Sequence, residues 1–211
     1  MKANELIEEQ HRLVEDLFEQ FESAKGAAKT RIFERIAGNL VAHDAIEREI
    51  FYPACEEALE DEDVLGESLV EHGVVEFCIF RADKNQGQDE FDKYVTVLKE
   101  VVMHHVKEEE KELLPKAKRA LGKERLEELG EAMQARFQEA LKQDFRVPLR
   151  DALEQVLSGK TKTTPPRRNG SRSSASRSST SRASGGRGST SGAQKRRGAA
   201  EQPRVRHRRR K

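Results

Sequence analysis

The stretches HDAIEREIFYP at residues 43–53 and HVKEEEKELLP at residues 105–115 decide how this chain is read. Each places a His, a Glu four residues later and a Pro ten residues after the His: His43, Glu47, Pro53 and His105, Glu109, Pro115. Residues 1–159 contain three prolines in all, Pro53, Pro115 and Pro148, so two of them in matching places form an internal echo. Around both stretches the apolar residues recur at three and four, the period of a helix with one buried face. A Pro inside such a segment deletes a backbone hydrogen bond, which predicts a kink or local break at each.

Outward from these stretches the same period persists. It predicts helices at 3–23, 28–59, 64–83, 89–121 and 123–157, separated by the residues around Gly26, the acidic run at 60–63, the polar run at 85–88, and Gly122. Long helices with short connections make an all-α fold: an up-down four-helix bundle with an additional C-terminal helix. The charge then divides the chain. Residues 1–159 hold 22 Lys+Arg against 37 Asp+Glu, a balance of −15, while residues 160–211 hold 17 against 1, a balance of +16. The second part has Ala and a single Val as its aliphatic residues, too little apolar surface to offset the entropy of ordering it. The expectation is an acidic helical domain at 1–159 followed by a disordered Ser/Gly/Arg-rich basic tail at 160–211.

The domain has five histidines, His11, His43, His72, His104 and His105, and each has a Glu four residues on. With 28 Glu among 159 residues that spacing means little by itself. Position around the helix is more discriminating. His43 and Glu47 fall on the stripe of Ile32, Ile36, Leu40, Ile50 and Phe51, and His105 and Glu109 on that of Phe91, Tyr94, Leu98, Val101 and Val102. His72 and Glu76 lie among Leu65, Leu69 and Ile79, and His11 beside Ile7, Val14 and Phe18, with Glu15 turned outward. His104 lies off its stripe and is a surface residue. Four imidazoles and two or three carboxylates thus face one core, where each costs several kcal/mol to bury unpaired. One partner satisfies them all: a metal cluster.

These residues give the chain its resemblance to the hemerythrin-like family, the HHE cation-binding domain: His11 in EQHRLV, the stretch at 43–53, His72 after Glu71, and the stretch at 105–115. The likeness runs from about residue 5 to 140. It implies a four-helix bundle holding two non-haem iron ions with an oxo or hydroxo bridge. His11, His43, His72 and His105 would be terminal ligands, Glu47 and Glu109 bridges, and Glu76 an additional ligand. Oxygen-carrying members have a further His where Glu76 stands, which sets this chain apart from the carriers. The four His, the two bridging Glu and the oxo or hydroxo bridge leave about two coordination positions open, one of which closes if Glu76 coordinates, and open positions suit iron that meets oxygen, peroxide or nitric oxide. The residue types alone suit zinc or manganese as well.

The function expected is therefore a non-haem di-iron protein that binds, senses or reacts with oxygen, peroxide, nitric oxide or iron, with peroxide decomposition or another redox reaction as its enzymatic form. Seventeen cations with no interleaved aromatic residue suit non-specific contact with nucleic acid or another polyanion. The alternative is a nucleic-acid-associated protein whose bundle is structural or stores iron. Cys55 and Cys78 fit neither a disulfide framework nor a zinc finger, and read as core thiols of a reducing compartment. Tyr52 and Tyr94 read as structural, with hydrogen-bond donation to the cluster as the alternative. No apolar run suits a signal peptide or a membrane span, so a cytoplasmic protein without membrane contact is expected.

Overall fold

Why these residues make helices, and where the helices break, follows from the two echoed stretches. The computed structural model describes residues 1–59 and 63–158, and every regular element among them is helical. In chain order they are α1 (Ala3–Ser23), α2 (Ala27–Ile46), α3 (Tyr52–Ala58), α4 (Asp63–Lys84), α5 (Phe91–Glu108), α6 (Leu114–Ala140) and α7 (Arg146–Leu157). Wide π turns, Glu47–Phe51 and Glu109–Leu113, join α2 to α3 and α5 to α6. In each, the backbone N–H just before the Pro reaches back five residues, Tyr52 to the carbonyl of Glu47 and Leu114 to that of Glu109. Pro53 and Pro115 have no N–H to give to the carbonyl four residues back, and the widened turn absorbs that loss. The expected breaks are therefore π turns, and both start at the glutamates of the echo.

The up-down bundle consists of α1, α2 with α3, α4, and α5 with the first turns of α6. Its core is split in two. One apolar cluster contains Val14, Phe18, Phe33, Ile36, Ile79, Leu98 and Val102. A second contains Ile7, Ile46, Phe51, Leu113, Leu126 and Met133. On α1, His11 lies between Ile7 of one cluster and Val14 of the other; along α5 and the π turn after it, His105 and Glu109 lie between Val102 and Leu113. A polar layer is thus enclosed between two apolar ones.

The additional C-terminal helix is present, in two pieces. At Gly122 the chain takes φ 72 and ψ 174, a conformation almost confined to Gly, and α6 turns there so that Leu126, Leu129, Met133 and Phe137 join the second cluster. Gly130 is where this helix meets the N-terminus: a Cβ there would stand 2.2 Å from the carbonyl oxygen of Met1. The single helix expected over 123–157 is corrected, because residues 141–145 are non-helical. The Asp144 carboxylate accepts the Arg146 N–H at 3.1 Å, and Pro148 lies in the first turn of α7. That short polar signal was available in the sequence and ends one helix while starting the next. α7 places Leu149 and Leu153 in the first cluster, and Arg146 ties it to Asp83 and Glu34 at 2.7 and 3.0 Å. The expected basic tail lies outside the described residues. No helix among the described residues is long and apolar enough to cross a membrane.

Candidate metal centre

Each of four helical segments brings one inward His to the polar layer: His11 from α1, His43 from α2, His72 from α4 and His105 from α5, all buried. The π turns bring Glu47 and Glu109, at 0% and 2% exposure the most deeply enclosed carboxylates of the site. Glu47 is flanked by His43 Nε2 at 3.0 Å and His72 Nε2 at 3.3 Å. Glu109 is flanked by His11 Nε2 at 3.2 Å and His105 Nε2 at 4.0 Å. Two sets of convergent ligand atoms result, one from His11, His43, Glu47 and Glu109, the other from Glu47, His72 and His105, with Glu47 common to both.

The outer edges of the imidazoles form a closed ring of hydrogen bonds around the bundle. His43 Nδ1 donates to Gln10 of α1 at 2.8 Å, His72 Nδ1 to Asp44 of α2 at 2.6 Å, His105 Nδ1 to Glu71 of α4 at 2.8 Å, and His11 Nδ1 to Glu110 at 2.9 Å. Amide and carboxylate oxygens only accept, so each Nδ1 carries its proton and each Nε2 lone pair is aimed inward. Sequence reasoning missed these four partners. Their signal was adjacency: Gln10, Asp44, Glu71 and Glu110 each neighbour a singled-out residue, one step round the helix from the core and facing the next helix.

The inward atoms lack ordinary partners. His11 Nε2, His43 Nε2, Glu47 Oε1 and both carboxylate oxygens of Glu109 are buried without a hydrogen bond, although they crowd within ion-pair distance of one another. His72 Nε2 and His105 Nε2 face each other at 3.1 Å, where two lone pairs repel unless a cation or proton lies between. His72 is held above its ordinary pKa, because burial is outweighed by the hydrogen bond and charge of Asp44. His105 falls below, through burial and the His72 charge. Glu47 is kept far below the carboxylate range: burial pushes it up, and His43, His72 and His105 more than reverse that. An ionised carboxylate and orphaned ring nitrogens converging on one layer are the donor set a divalent or trivalent cation takes up, displacing the protons that the imidazoles would otherwise carry.

The remaining residues sort by position. His104 is on the surface, its side chain 61% exposed, beside Glu71 and Glu108. Glu76 is buried but lies outside both ligand sets and takes Arg48 at 3.1 Å, while Arg48 also holds Asp44 at 2.6 Å. Burial and the charge of Asp44 push Glu76 up to about 7. Tyr52 donates to Glu47 at 3.1 Å, whereas Tyr94 pairs with Arg81. Cys55 and Cys78 are buried free thiols. Cys55 is pushed up to about 12 by burial and then by Glu109 and Glu47, which leaves it unreactive. A cavity of about 850 Å³ is lined by the four histidines, by Val41, Val75, Ile79 and Leu149, and by Arg48 and Glu76.

No curated protein matches the chain. A crystal structure of a hemerythrin HHE cation binding domain-containing protein from Mycobacterium kansasii superposes with a TM-score of 0.63 at 23% identity, covering 72% of this chain and 99% of that one, a likeness of fold. The sequence of residues 2–117 matches the hemerythrin HHE cation-binding domain, a stretch that contains all six inward residues. The chain belongs to the hemerythrin HHE cation-binding domain family, whose members bind metal ions.

Proposed function

We propose that this chain is a non-haem di-iron protein that binds, senses or reacts with a small oxygen species, namely oxygen, peroxide or nitric oxide. The observation that carries the reading is the set of orphaned inward atoms on His11, His43, Glu47 and Glu109 together with the facing Nε2 atoms of His72 and His105. Leaving so many polar atoms buried and unpaired costs several kcal/mol in sum, which a purely structural bundle has no reason to bear. His11 and His43 would hold one ion, His72 and His105 the other, with Glu47 and Glu109 between them. Iron bound there supplies one-electron redox chemistry and open positions for a diatomic or peroxide ligand. The chain's own part is to hold the imidazoles rigid through the Nδ1 ring and to enclose the polar layer between the two apolar clusters. It also admits a small ligand through the cavity that the four histidines line. Arg48 takes one oxygen of Glu76, whose side chain lies on the cavity wall outside both ligand sets, while its other oxygen is buried without a hydrogen bond.

Elemental analysis of the purified full chain with its absorption spectrum tests the reading. Two irons per chain with a visible or near-ultraviolet charge-transfer band support it; a folded chain that takes up no metal overturns it. For residues 160–211 we infer non-specific binding to nucleic acid or a comparable polyanion, supported by 17 cations against one acid and by the absence of aromatic residues.

A further inference from the structure

The two ligand sets are unequal. The first offers two imidazoles and two carboxylates, His11, His43, Glu47 and Glu109; the second offers two imidazoles and the shared carboxylate, His72, His105 and Glu47. Glu109 approaches the second set poorly, at 4.0 Å from His105 Nε2 against 3.2 Å from His11 Nε2. One more oxygen stands at that poorer set. The Tyr52 hydroxyl lies 3.1 Å from Glu47 Oε2 and 3.2 Å from His72 Nε2, two of the atoms facing the second position, and the residue is 4% exposed. Tyr52 owes its place to the π turn: it is the first residue after Glu47–Phe51, and its own N–H closes that turn on the Glu47 carbonyl. The residues that carry the ligand carboxylate and the hydroxyl are therefore joined by one backbone hydrogen bond. At the corresponding position after the other π turn stands Leu114, so the first position gains no equivalent oxygen.

We propose that Tyr52 is an oxygen ligand of the second metal position, completing the set formed by His72, His105 and Glu47. The inference rests on the di-iron reading above. When metal binds, the O–H bond breaks, the oxygen keeps the electron pair as phenolate and coordinates the metal, and the proton passes to solvent. No electron is transferred in this step. In the metal-free chain the same hydroxyl stays protonated and donates to Glu47. A phenolate on one ion makes the pair inequivalent and favours its ferric state, since a hard anionic oxygen stabilises the higher charge.

Full-length chain and Tyr52→Phe are loaded with iron under air and compared in three ways: iron per chain, protons released on loading, and the visible spectrum with resonance Raman. The wild type is expected to show a phenolate-to-ferric band whose excitation enhances tyrosinate ring modes. Tyr52→Phe loses band and modes, releases one proton fewer, and holds its second iron at least about tenfold more weakly. The Raman signature is read on the wild type alone, so it decides the matter even if the variant folds poorly. A wild type that binds two irons without tyrosinate modes, or a variant unchanged in all three, makes Tyr52 a hydrogen-bond donor and overturns the inference. A wild type without iron overturns the di-iron reading, and this inference falls with it.

Discussion

A histidine is a good ligand only when its other nitrogen is held, and here each of the four is held by a residue of a neighbouring helical segment. Replacing His43 or His105 by Ala should abolish tight binding at one position, while His104→Ala leaves buried metal unchanged because that side chain is 61% exposed and outside both ligand sets. Metal content measured after dialysis separates these outcomes, and equal loss in the His104 and His105 variants would refute the assignment. Asp44→Asn keeps an acceptor for His72 but removes the charge, and should weaken metal binding by roughly 10–100-fold at unchanged helicity. Glu76 gives a pH signature in the metal-free chain. Its folded value of about 7 lies above the ordinary 4.5, so between those values the native state retains a proton that the unfolded chain has lost. Stability must then fall as pH rises through this window and stop falling above it. Thermal midpoints of wild type and Glu76→Gln across the window should diverge from acid to neutral; a constant difference would count against the buried carboxyl.

At the scale of elements, the two π turns position the carboxylates, and Gly122 positions the helix that covers the second apolar cluster. Because φ 72 with ψ 174 is open to Gly and little else, Gly122→Ala should cost about 1–3 kcal/mol of unfolding free energy. A Cβ at Gly122 meets no atom within 4 Å, so the loss comes from backbone strain, and metal stoichiometry should stay the same. Gly130→Ala differs in cause: its Cβ would collide with the Met1 carbonyl, so the N-terminal residues must shift. Urea unfolding with parallel metal analysis distinguishes strain in α6 from damage to the centre. Loss of metal in Gly122→Ala would mean that the turn supports the site directly.

For the whole molecule, the acidic helical part and the basic part should be separable. The described apolar clusters contain nothing beyond Leu153, so truncation after Gly159 should leave helicity and metal content intact; a collapse of either on truncation would show that the basic part supports the bundle. If the 17 cations of residues 160–211 contact phosphates, affinity for duplex DNA should fall with salt at a log–log slope of roughly −5 to −10, with little regard for sequence. The −15 balance of residues 1–159 repels DNA and competes for the same cations, so the isolated tail should bind more tightly than the full chain. Titrations of two unrelated duplexes at several salt concentrations check this. A salt-insensitive affinity or a marked sequence preference would reject it.

What the sequence determined by itself was whatever one helix carries within itself. The 3.6-residue period told His43, Glu47, His105 and Glu109 apart from His104, and the matching Pro53 and Pro115 marked where each helix departs from α geometry. Asp144 and Pro148 carried the break before α7, but an apolar period continuing past them outweighed that local signal. Which helix neighbours which is a property of packing, and no period along one helix encodes it. Only the tertiary structure therefore decided that Glu47 lies between His43 and His72, that Gln10, Asp44, Glu71 and Glu110 close a ring around the bundle, and that Glu76 turns to Arg48. Tyr52 shows the same division: the sequence made it a structural tyrosine with donation to the cluster as the alternative, but the oxygen's place at the poorer ligand set needed α4 and the π turn together, because 3.1 Å and 3.2 Å are distances to two different helical segments.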